Sequence, residues 1–307
     1  MCGKKSLRRV FKRPVRYIFK LLAFIGLSGI FLRCLPKVAS VISLESGSDP
    51  TRSQFAPKIF SLLARYHSGP DIIRNRTFRG KTHFTLTLRI NEFTQNGYYF
   101  DYPRNGLSEL IMSNRTAGTF VDVGANIGVF SMLASQYFER VVAFEPYTKV
   151  RDYLLENISN NKISNINVIP IAVASKPTVG KFRPNPLNDG GGQVEINHAE
   201  ENQGDIEVTS LDCMNIPDVK LVKIDVEGGE INVLLGAQQT ISKFKPAIFA
   251  EVSFSRKKVE RILEILGKDY LAMVAPHENQ NLVPFDVLFV TKDCGLSIGN
   301  FRPLVLL

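Results

Sequence analysis

Three short clusters hold the residues best suited to chemistry: Asp122 with Gly124, Asn126 and Gly128; Glu145; and Lys223 with Asp225 and Glu227. In the first, Phe120-Val-Asp-Val-Gly-Ala-Asn-Ile-Gly128 reads as a strand running into a helix. Gly124 lets backbone approach a ligand, and Gly128 lets the helix pack close to the strand. Asn126 takes the place of the second glycine of a dinucleotide fingerprint. A carboxylate at Asp122 suits an ammonium group and repels a pyrophosphate. Glu145 follows the strand Val141–Phe144, 21 residues after Gly124. An acid at about that distance binds ribose hydroxyls, and Pro146 stops the strand behind it. Together the two clusters describe a site for a nucleoside with a cationic tail.

The third cluster is Leu221-Val-Lys-Ile-Asp-Val-Glu-Gly-Gly-Glu230. Asp225 and Glu227 lie at a strand end, facing the same crevice as Asp122 and Glu145. Helix capping accounts for Glu230, since acids in a first turn complement the dipole. It does not account for Lys223 and Asp225, which lie in or at the end of a buried strand. A charge there needs a partner, and each is a candidate partner for the other. Asp225 or Glu227 is the candidate proton acceptor; Lys223 either lowers an acceptor's pKa or pairs with Asp225. His198 is a further candidate base, on an irregular stretch that we place at 176–204. No metal-ligand spacing is visible, and no metal is expected. The four cysteines (Cys2, Cys34, Cys213, Cys294) match neither a zinc pattern nor a disulfide framework.

These motifs resemble the FkbM-type methyltransferases. The resemblance rests on Asp-Val-Gly-Ala-Asn-x-Gly, on Phe-Glu-Pro, and on Val-Lys-Ile-Asp-Val-Glu-Gly-Gly-Glu followed by Leu-Leu-Gly-Ala, and covers about residues 98–253. Gly229 departs from the small side chain usual there. The resemblance implies a class I methyltransferase (Rossmann-like) fold with a mostly parallel seven-stranded sheet. It also implies methyl transfer from S-adenosyl-L-methionine to an oxygen, often on a sugar or polyketide. The cofactor role carries over to Asp122, Gly124, Asn126 and Glu145, and the acidic site to Asp225 and Glu227. Two rivals are an NAD-dependent oxidoreductase and an inactive, membrane-tethered binding protein on the same fold.

The elements needed to hold these clusters alternate as βαβ from Thr119 onward. Helices are expected at 126–138, 150–160, 230–241 and 256–266, with strands between them, on both faces of the sheet. Before that, a helix-like pattern at 56–67, strands at 83–90 and 98–102, and a helix at 107–112 form an N-terminal extension, residues 56–118. The methyltransferase domain is placed at 119–295 and a tail at 296–307.

Net charge is +9, but residues 1–50 hold ten Lys and Arg against Glu45 and Asp49. The rest is nearly neutral, which argues against a nucleic-acid groove. Basic residues crowd positions 4–20, and an uncharged apolar run, Leu21 to Leu32, follows. Counted from Tyr17 to Leu35 with snorkelling flanks, this is about 28 Å of helix. We read residues 1–42 as a membrane anchor, spanning or interfacial, with a cleaved secretory signal as the third option. Residues 43–55 are a linker. Sequons stand at Asn75, Asn114 and Asn157.

Overall fold

The computed structural model describes residues 72–78, 82–88, 106–185, 188–196, 205–275 and 286–306. The N-terminal segment and linker, the 56–67 helix, the 98–102 strand and His198 all lie outside these residues. The chain divides into two compact units: residues 1–74 with 87–102, and residues 75–86 with 103–307. The first is described only at the ends of β1 (Ile72–Phe78) and β2 (Thr82–Leu88), which pair as a two-stranded sheet. Everything below concerns the second.

Its elements run α1 (Leu107–Met112), β3 (Thr116–Val123), α2 (Val129–Ser135), β4 (Phe138–Phe144), α3 (Thr148–Asn160), β5 (Ile166–Ile169), β6 (Ala172–Val173), β7 (Thr178–Asn185), β8 (Asn188–Glu195) and β9 (Ile206–Thr209). They continue with β10 (Val219–Ile224), α4 (Glu230–Leu235), α5 (Gln238–Phe244), β11 (Ala247–Glu251), α6 (Arg256–Leu266), β12 (Tyr270–Val274), β13 (Asp286–Thr291) and β14 (Arg302–Pro303). The main sheet is ordered β14-β12-β13-β11-β10-β3-β4-β5. Neighbours from β5 to β11 are parallel; β13 runs antiparallel to both β11 and β12. The α/β architecture of a class I methyltransferase is therefore present, with two corrections. Where the motifs predict a mostly parallel sheet of seven strands, the sheet is mixed, parallel from β5 to β11 and antiparallel beyond, and it has eight strands because two residues near the C-terminus pair with the edge of β12.

The strands at the sheet's centre are buried over most of their length and are therefore largely apolar. On β3 and β11 every residue from Gly118 to Val123 and from Ala247 to Glu251 is buried. Such runs show no alternation, which is why they stand out in sequence. The order in which strands are added reverses between β3, from which β4 and β5 extend one way, and β10, from which β11 extends the other. That reversal opens a crevice at the strands' carboxyl ends.

Two expectations change in detail. Instead of one helix over 230–241 there are two, because Gly236 packs on another segment's backbone. A Cβ there would stand 2.1 Å from the Ala174 carbonyl oxygen. And the stretch 176–204, read as irregular, carries a β7–β8 hairpin joined to β9 and β6 in a second, four-stranded sheet. Among the described residues, no helix is long and apolar enough to cross a membrane.

Candidate active site

Strand register brings the three clusters together. Lys223 on β10 lies directly opposite Asp122 on β3 and opposite Phe249 on β11. Two residues further on, on the same face, β10 and β11 present Asp225 and Glu251. Glu251 in turn pairs with Asp286 on β13. Glu145 follows the last residue of β4 at the same level.

Asp122 is fully buried. The Ser131 hydroxyl donates to its Oδ2 at 2.6 Å, and Lys223 Nζ lies 3.1 Å from Oδ1. The second contact is an ion pair without hydrogen-bond alignment. Lys223 Nζ also donates to the Gly124 carbonyl at 2.9 Å and lies 3.6 Å from Asp225 Oδ2. The ammonium that Asp122 meets is thus the protein's own. Lys223 is a buried strut from the glycine turn to the half-exposed Asp225, and Asp122 shapes the crevice from behind.

Gly124 has φ +81, and a Cβ on it would stand 1.9 Å from the Asp225 carbonyl oxygen. The close approach that needs a glycine here is between the two strand-end turns. Gly128, with φ +88, meets Leu154 of α3 rather than the strand. Asn126 adopts φ 53, a region asparagine tolerates better than most residues. Its own Oδ1 receives the Ile127 amide at 2.7 Å. Every amide of the turn is engaged: Gly124 and Ala125 donate to the Phe144 carbonyl, Asn126 to Glu145 Oε2, Ile127 to Asn126, and Gly128 to the Ala125 carbonyl.

Glu145 is 7 % exposed and receives the amides of Asn126 (2.8 Å) and Tyr147 (3.0 Å) on separate oxygens. Burial pushes its carboxyl up to about 7, against the pull of those two amides and of Lys223. Arg151 fixes the same turn by donating to the carbonyls of Glu145 and Pro146.

On the other side of the crevice, Glu227 sits at φ 52, followed by Gly228 at φ 103. Gln193 of β8 donates to the Glu227 carbonyl at 2.8 Å. Burial raises the Glu227 pKa, and the charges of Asp225 and Glu230 add to the rise, with Lys258 opposing it. Glu230 turns out to be more than a dipole partner. It is fully buried, receives the Gly228 amide at 3.0 Å and lies 2.6 Å from Lys258 of α6. It anchors the turn that presents Glu227.

Glu251 escaped sequence reasoning. It is 6 % exposed and accepts a short hydrogen bond from the Ser253 hydroxyl. Burial lifts its carboxyl to about 7, with Asp225 and Glu227 adding to the rise and Ser253 resisting it. The signal was present as an acid ending the apolar strand next to β10, the same cue that marks Asp225. Among the described residues no cluster of side chains has the makings of a metal site. Asn114 and Asn157, both sequons, are buried, and their amides bond the carbonyls of Leu110, Ser297 and Ile127. Those bonds leave no accessible nitrogen for a glycan.

Residues 122–274 match the model of the methyltransferase FkbM domain. Over 123 residues the chain is 30% identical to the hexuronic acid methyltransferase AglP of Haloferax volcanii, an alignment covering 38% of this chain and 48% of that protein. The chain thus spans about half the length of this curated relative. Among solved structures, it resembles the methyltransferase FkbM of Methylobacillus flagellatus at 21% identity and a TM-score of 0.41, covering 64% of this chain and 50% of that one. It also resembles a putative methyltransferase of Streptococcus mutans solved in complex with SAH, at 11% identity and a TM-score of 0.39, covering 62% and 99%.

Proposed function

We propose, from the match of residues 122–274 to the methyltransferase FkbM domain, that this chain is an FkbM-type methyltransferase that binds S-adenosylmethionine in the β3–β10 crevice and methylates an oxygen of a hydroxylated acceptor. One observation carries the choice of cofactor. All five amides from Gly124 to Gly128 are engaged within the protein, while Glu145 and Asp225 supply negative charge at the same mouth. A pyrophosphate needs free amides and positive potential. A nucleoside with an ammonium and a sulfonium needs neither, and it gains from the carboxylates. The residues therefore fit S-adenosylmethionine and disfavour a dinucleotide.

Glu145 would hold the ribose hydroxyls. The turn 124–128, locked by Lys223, would line the nucleoside, and Asp225 would face its cationic end. When bound, S-adenosylmethionine supplies an electrophilic methyl group on sulfur. The chain's own residues must then orient the acceptor oxygen and remove its proton. Because transfer from such a donor would neutralise a positive charge, the chain's residues would need to supply no oxyanion hole. Asp225 and Glu227 stand where that proton leaves, and Glu251 joins them. Lys223, braced against Asp122, positions Asp225.

The relative's name places its substrate among hexuronic acids. For this chain the proposed acceptor is a hydroxyl of a glycan, lipid or secondary metabolite. Residues 1–42 are proposed as a membrane tether, spanning or interfacial, on the strength of their basic and apolar pattern. The test is a labelled-methyl assay of the full chain on glycan and lipid fractions. Label in one of them, dependent on S-adenosylmethionine and surviving EDTA, supports the reading. A chain that binds the cofactor and labels nothing is an inactive binding protein.

A further inference from the structure

We infer that Gln193, on the β7–β8 hairpin, is a positioning residue for the methyl transfer: it fixes the peptide unit that presents Glu227. The inference rests on the methyl-transfer reading above, in which Glu227 stands where the acceptor's proton leaves.

The peptide between Glu227 and Gly228 is held at both of its polar ends. Its carbonyl, on Glu227, receives the Gln193 side-chain amide at 2.8 Å. Its N–H, on Gly228, donates to Glu230 Oε1 at 3.0 Å. The two residues it joins lie at φ 52 and φ 103. Glycine adopts such a backbone freely, whereas a glutamate does so at a cost. A peptide plane turns by opposite changes in the ψ before it and the φ after it, and Gly228 offers little resistance to that turn. The two hydrogen bonds are what oppose it. One is built into the main fold, since Glu230 is fully buried and lies 2.6 Å from Lys258. The other comes from outside, from a second sheet and 34 residues earlier in the chain.

The hairpin is placed to supply it. In its ladder Phe182 pairs with Val194 and Arg183 with Gln193. Neighbouring residues of a strand point to opposite faces, so Phe182 and Gln193 leave opposite faces of the hairpin. Phe182 stacks on Tyr147, in the turn after β4, with centroids 4.4 Å apart. Gln193 reaches Glu227, in the turn after β10. In the main sheet β3 lies between β4 and β10, so the hairpin stands across the end of β3 and touches the crevice on both sides. Gly192 keeps the Phe182 ring in place, because a Cβ there would stand 2.1 Å from the ring's Cζ.

Turning the 227–228 plane tilts the Glu227 Cα–Cβ bond, and the carboxyl at the far end of the side chain moves further still. Proton removal needs that carboxyl within about 2.6–3.2 Å of the acceptor oxygen. Gln193 therefore acts through Glu227 and makes no contact of its own with the reacting atoms.

The first test needs neither donor nor acceptor. Gln193→Met keeps the side chain's length and removes its donor. In the nitrogen-15-labelled full chain, exchange of the Gly228 amide proton should quicken roughly 2- to 10-fold, the worth of one hydrogen bond. Exchange of the β10 amides should not change. A Gly228 amide that exchanges at the wild-type rate overturns the clamp. The second test uses the labelled-methyl assay on the fraction that takes label. Gln193→Met should lower kcat by roughly 10²-fold, with the KM for S-adenosylmethionine and the melting temperature unchanged. In a Glu227→Gln background the same substitution should change the rate by less than about twofold, because no base is left to misplace. A normal kcat, a loss confined to the donor's KM, or an equal further loss in the Glu227→Gln background overturns the inference. A wild-type chain that fails to bind S-adenosylmethionine defeats the parent reading and this inference with it. One that binds and methylates, with a normal kcat in Gln193→Met, defeats only this inference.

Discussion

Single side chains here divide into those that hold and those that react. Lys223 belongs to the first kind. Lys223→Met leaves Asp122 buried without a counter-ion, a change that costs roughly 3–5 kcal/mol. The double variant with Asp122→Leu should recover most of that loss in urea denaturation. A lysine acting only on the acceptor would leave stability unchanged in the single variant. Glu145 is assigned to holding the ligand, and its pH dependence has a definite sign. Its carboxyl is lifted from 4.5 to about 7 by burial, so between those values the folded chain keeps a proton that the unfolded chain has lost. Stability therefore falls as pH rises through that window. Affinity for S-adenosylmethionine should move the opposite way, tightening from pH 6 to 8 as the carboxylate forms to receive the ribose hydroxyls. Calorimetry at both pH values checks this, and Glu145→Gln should flatten the trend. Asp122, Glu145, Asp225 and Glu227 were legible in the sequence because each charge interrupts an apolar run. What each one does was not. That Asp122 faces Lys223 follows from the register of two strands about a hundred residues apart.

Strands and helices were the most legible level, for a simple reason. β3, β10 and β11 are buried over most of their length, and that burial writes largely apolar runs in which Asp122, Lys223 and Glu251 stand out. The hairpin β7–β8 writes no such run. Lys181, Arg183 and Pro184 are exposed, the described residues of this stretch are mostly open to solvent, and prolines and a glycine triplet break any alternation. Its place is nevertheless specific. Phe182 stacks on Tyr147 with centroids 4.4 Å apart, beside the Glu145 turn, and Gln193 holds the Glu227 carbonyl. Phe182→Ala should therefore weaken cofactor affinity severalfold while leaving the urea midpoint within error. A variant with unchanged affinity would detach the hairpin from the cofactor site. Gly236 is the converse case, an element boundary set by packing. Gly236→Ala drives a methyl group into the Ala174 carbonyl and should cost about 1–3 kcal/mol, read as a lower urea midpoint with an unchanged slope.

At the scale of the whole molecule, the charge that dominates composition is separate from the chemistry. Ten basic residues lie in the first fifty positions, and the remainder is close to neutral. The full chain should therefore pellet with vesicles containing phosphatidylserine, and replacing Lys4, Lys5, Arg8, Arg9, Lys12 and Arg13 by glutamine should weaken that binding without altering cofactor affinity. A parallel loss of both would mean that the segment serves the site. The sheet order, in contrast, accounts for the site directly: one reversal in the order of strands brings Asp122 on β3 and Asp225 after β10 side by side, with Glu145 after β4 and Glu251 on β11 outside them. The central claim is that this crevice was built for a cationic nucleoside. Isothermal titration of the full chain with S-adenosylmethionine and, separately, with NAD tests it most directly. One-site binding of S-adenosylmethionine, lost in Glu145→Ala, with no heat from NAD, is the predicted result. Binding of NAD, or no binding of S-adenosylmethionine by a folded chain, would contradict it.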